Sequence, residues 1–142
     1  DSTGELVGIN TAIVAKSLGV EGIGFAIPVN MVRGVVSEII EKGRVVRGWI
    51  GVVPEDVTDE QAAQLGLARG GVVIATMYLG SPAVQAGLRS GDLVTHIDGT
   101  RITTAQELMA RIAAIMPGTR VQVRGLRGVK PFALGVRVGE RP

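Results

Sequence analysis

Between Thr58 and Gly118 the chain starts three helices and stops each one soon afterwards. Thr58 with Gln61 three residues later forms a capping box, Asp59 and Glu60 suit the first turn, and Gly66 closes the helix. Ser81 precedes Pro82, an N-cap followed by proline at the first helical position, and Gly87 marks the exit. Thr104 with Glu107 repeats the capping box and opens a longer helix from Ala105 to about Ile115, which Pro117-Gly118 ends. The intervening runs are strands: one from Val52, limited or placed at an edge by Pro54, then Val72 to Met77 and Leu93 to Ile97. Asp98-Gly99 turns the chain tightly into Arg101-Ile102. Val121 and Val123, then Phe132, Leu134, Val136 and Val138, alternate with other residues on either side of a turn at Arg127-Gly128. The order predicts a mainly β unit with α, a small partly open barrel or sandwich carrying two helices besides the short one that Thr58 opens.

The first third follows a different plan. Leu6 to Val14 and Ile23 to Ile27 read as two strands joined by an exposed loop, Ala15 to Gly22. Pro28 stops the second, and Asn30 is the expected N-cap of a helix with apolar residues at Met31, Val32, Val35, Val36, Ile39 and Ile40. Gly43 ends it, and Arg44 to Arg47 form a linker. One hairpin and one helix each have an apolar face and too few residues to cover it, so this part reads as the tail of a larger domain. The expected division is residues 1–46, residues 47–139, and a tail of 140–142.

Composition narrows the function. Apolar residues make up 46% of the 142 but aromatics only 3%, so the core is built of Val, Ile, Leu and Ala. The net charge of +2 gives no phosphate-binding surface, and nucleic acid is not expected as a partner. With no cysteine, thiolate metal sites and a cysteine nucleophile are excluded, and no cofactor or metal is expected. Asp1 to Glu5 are not a signal peptide, and no apolar run reaches the roughly 18 residues that span a bilayer.

The junction Arg47-Gly48-Trp49-Ile50-Gly51-Val52 carries the sharpest chemistry. Its two glycines allow successive backbone N–H groups to converge into a nest for a carboxylate, beside apolar walls. The same residues also suit an ordinary turn before a strand.

Taken together, Gly80-Ser81-Pro82-Ala83, Ala86-Gly87-Leu88, Gly91-Asp92-Leu93-Val94 and Ile97-Asp98-Gly99 resemble the PDZ domain, in the permuted arrangement of bacterial proteases. Gly4-Glu5-Leu6-Val7-Gly8-Ile9-Asn10-Thr11 and Gly22-Ile23-Gly24-Phe25-Ala26-Ile27-Pro28 resemble the end of the protease domain of HtrA/DegS-type, trypsin-fold serine endopeptidases. The resemblance implies that residues 1–46 are the last hairpin and helix of a trypsin-like β-barrel domain. Its Ser-His-Asp triad would lie before this chain. The only histidine, His96, falls in a strand of the second unit, and no serine has a matching base, so the chain itself is expected to cleave nothing.

The resemblance further implies that Trp49, Ile50, Gly51 and Val52 form a carboxylate-binding loop, with Met109 and Ile112 lining the pocket for the last side chain. Helical spacing alone allows Leu108, Met109 and Ile112 to be either core or groove. The implied partners are apolar free C-termini of unfolded or outer-membrane proteins, in the service of protein quality control and envelope stress. The parent is expected to be periplasmic, homotrimeric and either free or anchored to the inner membrane, with one PDZ domain as in DegS-type members. Two other roles fit the same residues: specificity-pocket strands for a catalytic barrel, or an oligomerisation element. Uncovered strands in residues 1–46 are also expected to pair between molecules.

Overall fold

Short β-branched runs between glycine, proline and capping residues give ten strands and four helices in a computed structural model that describes residues 2–13, 24–67 and 70–142. The chain divides into two compact units, Asp1–Val45 and Val46–Pro142.

In the first unit, β1 (Gly8–Ile13) pairs antiparallel with β2 (Gly24–Pro28), with a register shift between Asn10 and Ala12. The expected loop Ala15 to Gly22 lies outside the described residues, as do Val14 and Ile23 at the expected strand ends. Helix α1 (Val29–Lys42) follows β2 without a gap. Its N-cap is Pro28, not Asn30: the proline ring holds an extended φ of −60° at the last strand residue, and the chain turns helical directly after it. Asn30 sits inside the first turn, where its side-chain oxygen accepts the Met31 N–H at 3.2 Å. Gly43 closes the helix in the left-handed conformation, as its position predicts. No residue of α1 is buried, and Phe25, Ile27, Met31 and Ile40 are all exposed.

The second unit begins with β3 (Gly48–Trp49) and β4 (Val52–Asp56). There follow α2 (Asp59–Gln64), β5 (Val72–Met77), α3 (Pro82–Gln85), β6 (Leu93–Ile97) and β7 (Thr100–Arg101). Helix α4 (Ala105–Ala113), β8 (Arg120–Arg127), β9 (Lys130–Arg137) and β10 (Gly139–Glu140) complete it. The main sheet has the order β4-β5-β6-β8-β9, with β7 paired to β6. It is an open sheet: no ladder joins β9 to β4 among the described residues, so the expected partial barrel stays unclosed. Strand β4 is thus an edge, which is how it tolerates Pro54; the strand runs through the proline with a register shift between Val53 and Pro54.

Local signals act as their chemistry dictates. Thr58 and Gln61 make the full reciprocal capping box, and Ser81 caps α3 ahead of Pro82. Asp98 and Gly99 both take positive φ, 47° and 77°, and turn β6 into β7. The box at Thr104 is only half made. Thr104 accepts the Glu107 N–H, but the Glu107 carboxylate turns to the N–H and hydroxyl of Thr103.

The core is aliphatic, built from Val72, Ile74, Val94, Ile97, Ile102, Leu108, Val121, Val123, Val136 and Val138 around α4 and the inner sheet face. At its rim Asp92, 1% exposed, accepts two hydrogen bonds of 2.7 Å from Arg127 and a third of 2.8 Å from the Arg89 N–H. Arg127 also donates to the Gly87 carbonyl and lies over the Phe132 ring, so one ion pair ties the α3 exit to the β8–β9 hairpin. Burial pushes the Asp92 carboxyl up, but these bonds outweigh it and hold the group below the ordinary carboxylate value.

Candidate functional site

The free edge of β4 and one face of α4 enclose a groove of about 290 Å³. Its floor and one end come from Arg47, Gly48, Trp49, Ile50, Gly51 and Val52. Across from them α4 contributes Gln106, Met109, Ala110, Ile112 and Ala113, and Arg141 reaches the same space. All six residues named from the sequence, Trp49, Ile50, Gly51, Val52, Met109 and Ile112, line this one groove. Their burial differs: Ile50, Val52 and Ile112 are almost fully buried and belong also to the core, while Met109 is 39% exposed. Leu108, one residue earlier, faces wholly inward.

The loop between β3 and β4 is fixed by its carbonyls. The Ile50 carbonyl accepts the Ala83 N–H at 2.9 Å and the Gly51 carbonyl accepts the Tyr78 N–H at 3.0 Å. The amides of Ile50 and Gly51 donate to no group among the described residues. Gly51 has φ +76°, and a Cβ there would come within 2.3 Å of the Ser81 Cβ. Gly48 allows an equally close approach, since a Cβ would meet the carbonyl oxygens of Ile112 and Ile115 at 2.2 and 2.4 Å. The glycines therefore press the loop against α3 on one side and the end of α4 on the other. Trp49 packs beside Tyr78 with ring centroids 5.8 Å apart.

Sequence reasoning missed the second support of this loop. Strand β3 pairs with β10, Trp49 opposite Gly139 and Gly48 opposite Glu140, and the Arg141 N–H donates to the Arg47 carbonyl at 3.0 Å. Residues 139–141, which run into the expected tail of 140–142, are thus part of the groove's frame. Two-residue strands carry no periodicity, so nothing in the sequence announces them. Gln106, Ala110 and Ala113 could have been found from their spacing with Met109 on one helical face.

His96 lies half-buried in β6 with Nδ1 2.9 Å from the Thr95 hydroxyl, and its cross-strand neighbours are Arg101 and Arg124. Among the described residues no three His, Asp or Glu side chains gather to hold a metal ion, and no helix is long and apolar enough to cross a membrane.

A glycine-bent loop whose Ile50 and Gly51 amides have no acceptor among the described residues, at the start of an edge strand that faces a helix across an apolar groove, belongs to the peptide-binding class of module. The chain belongs to the PDZ domain family, whose sequence model matches residues 48–138. A probable periplasmic serine endoprotease DegP-like of Rhizobium meliloti is 39% identical over 99% of this chain and 28% of its own length. The periplasmic pH-dependent serine endoprotease DegQ of Escherichia coli is 38% identical over 94% of this chain and 30% of its own length. Among solved structures, the HtrA-type protease AlgW with decapeptide superposes with a TM-score of 0.88 at 41% identity, covering all of this chain and 44% of that one. AlgW with tripeptide gives the same score over 48% of its chain. The serine endoprotease from Yersinia pestis follows at 0.81 and 31%. The chain spans under a third of the length of these curated relatives.

Proposed function

We propose that residues 46–142 bind the free C-terminus of peptides with an apolar last residue, and that in the intact protein this binding activates or directs an HtrA-type periplasmic serine endopeptidase. The observation that carries this reading is the pair of Ile50 and Gly51 amides, without an acceptor among the described residues, at the head of an edge strand. A carboxylate placed there accepts charge-assisted bonds worth about 1.5 to 3 kcal/mol. The last side chain enters between Ile50, Met109 and Ile112, and the residues before it lie antiparallel to β4, toward Asp56. Met109, exposed and deformable, admits several apolar endings. The peptides named with the AlgW structures agree with such a use.

Residues 1–46 fit the closing hairpin and helix of the protease domain, whose remaining strands would cover the apolar side chains that α1 and β2 expose. Catalysis by the chain itself is not part of this reading, and turnover of unfolded casein scaling with purified chain would overturn that point. The partners proposed are the C-termini of unfolded or outer-membrane proteins.

Titration with a decapeptide ending in a free apolar residue, followed through Trp49 fluorescence, tests the reading. Binding should saturate with the free acid and weaken at least tenfold with the C-terminal amide. Equal binding of acid and amide would remove the carboxylate mechanism. No binding of either would favour a purely structural role.

A further inference from the structure

Beyond the residues that line the groove, the far ends of β4 and α4 are bonded to each other. Strand β4 and helix α4 run in opposite senses along it: Val52 lies near Met109 and Ile112, whereas Asp56, the last residue of β4, meets Ala105, the first of α4. There the Asp56 Oδ1 accepts the Ala105 N–H at 2.5 Å, a side-chain bond across 49 residues of chain. This bond is not needed to start the helix, because Thr104 caps it through the Glu107 N–H and the Glu107 carboxylate holds Thr103. Its effect is to tie the two walls of the groove together.

We propose that Asp56 is a latch across the far end of the groove, and that it sets how many residues of a ligand the module reads. The inference rests on the peptide-binding function proposed above. From Val52 to Asp56 is four steps of a strand, about 13 Å, so about four ligand residues fit between the carboxylate loop and the latch. Pro54 already removes one donor from that stretch. Residues further from the ligand's C-terminus must pass over the Asp56–Ala105 bond and out of the groove, where they add little. Asp56 is therefore a positioning residue: it acts on the ligand through the spacing of β4 and α4.

Two substitutions open the latch by different routes. Asp56→Ala removes the acceptor. Ala105→Pro removes the donor, at a first helical position where proline is well tolerated and behind a Thr104 whose extended backbone, φ −131° and ψ 154°, suits a following proline. Asp56→Asn keeps an oxygen acceptor and serves as the conservative control.

The experiment uses the 142-residue chain and a ladder of peptides of three, four, six, eight and ten residues sharing one apolar free C-terminus, with Trp49 fluorescence as readout. Affinity for the native chain should level off at four residues, changing less than twofold beyond. In Asp56→Ala and Ala105→Pro it should keep rising, at least fivefold between four and eight residues, while Asp56→Asn keeps the native plateau. Amide exchange at Gln106 and Glu107, followed without ligand, should quicken in both opened variants. Folded variants whose plateau stays at four residues would overturn the latch and leave peptide binding intact. Failure of the native chain to bind any peptide would overturn both.

Discussion

Gly51 and Ser81 stand so close that the Cβ glycine lacks would lie 2.3 Å from the serine Cβ. The contact brings the loop before β4 onto the N-cap of α3, and the Ala83 N–H of that helix then donates to the Ile50 carbonyl. With its carbonyls turned inward, the loop has amides left to offer. The first prediction follows from that closeness. Gly51→Ala meets both the serine and a φ of +76°, and is expected to lower stability by about 1 to 3 kcal/mol. Peptide affinity should fall more than tenfold even at temperatures where the variant is folded. Thermal melting and fluorescence titration on one sample separate the two effects, and unaltered affinity would sink the amide nest.

Met109 and Ile112 share the groove but not the core. Met109→Ala, at a half-open position, is expected to cost under about 1 kcal/mol of stability while weakening peptides with a large apolar last residue several-fold. Ile112→Ala empties a site only 2% exposed and is expected to cost about 2 to 4 kcal/mol whether or not peptide is present. Urea denaturation of both variants checks the contrast, and equal losses would contradict this division of roles.

Acid should loosen the second unit through Asp92. Its carboxyl is held below the ordinary value in the folded chain, so its stabilisation is complete above the unfolded value near about pH 4 and is lost as pH falls through the folded value. Glu107, kept low by the Thr103 and Thr104 bonds, adds to the loss in the same direction. Asp92→Asn leaves Arg127 without its anion and is expected to be destabilised at pH 7 yet to lose less stability than the native chain on going to pH 3. Denaturant midpoints at the two pH values decide it.

Ending the chain at Val138 removes β10 and the Arg141 bond to Arg47. The shortened chain should keep its main sheet, show altered Trp49 emission and bind peptide several-fold more weakly. A truncation that binds normally would show that the β3–β10 pair does not support the loop.

Much of this molecule was legible in its sequence because its signals are local. The Thr58–Gln61 box, the Ser81-Pro82 start and the Asp98-Gly99 turn each depend on neighbours within three residues, and each forms. The six groove residues could be named because a family resemblance aligned Trp49 to Val52 with a helix some 60 residues away. What sequence left out depends on distant partners. Asp56 reaches Ala105 across 49 residues, and Gly139 finds Trp49 from the other end of the unit, with no pattern at either position to signal it. Local rules also failed where two sets of donors competed for one acceptor: the Glu107 carboxylate could accept from the Thr104 N–H but takes an N–H and a hydroxyl together from Thr103.

The pairing of β3 with β10 has a mechanical side. Because the two strands are antiparallel, Gly48 opposite Glu140 and Trp49 opposite Gly139, a pull on the polypeptide at residues 46 and 142 opens them like a zip, one rung at a time. The main sheet would still be whole when those two rungs part. Tension along the backbone thus parts the Arg47–Arg141 bond and the Gly48–Glu140 rung and then reaches Trp49, the residue just before the Ile50 and Gly51 amides at the head of the groove.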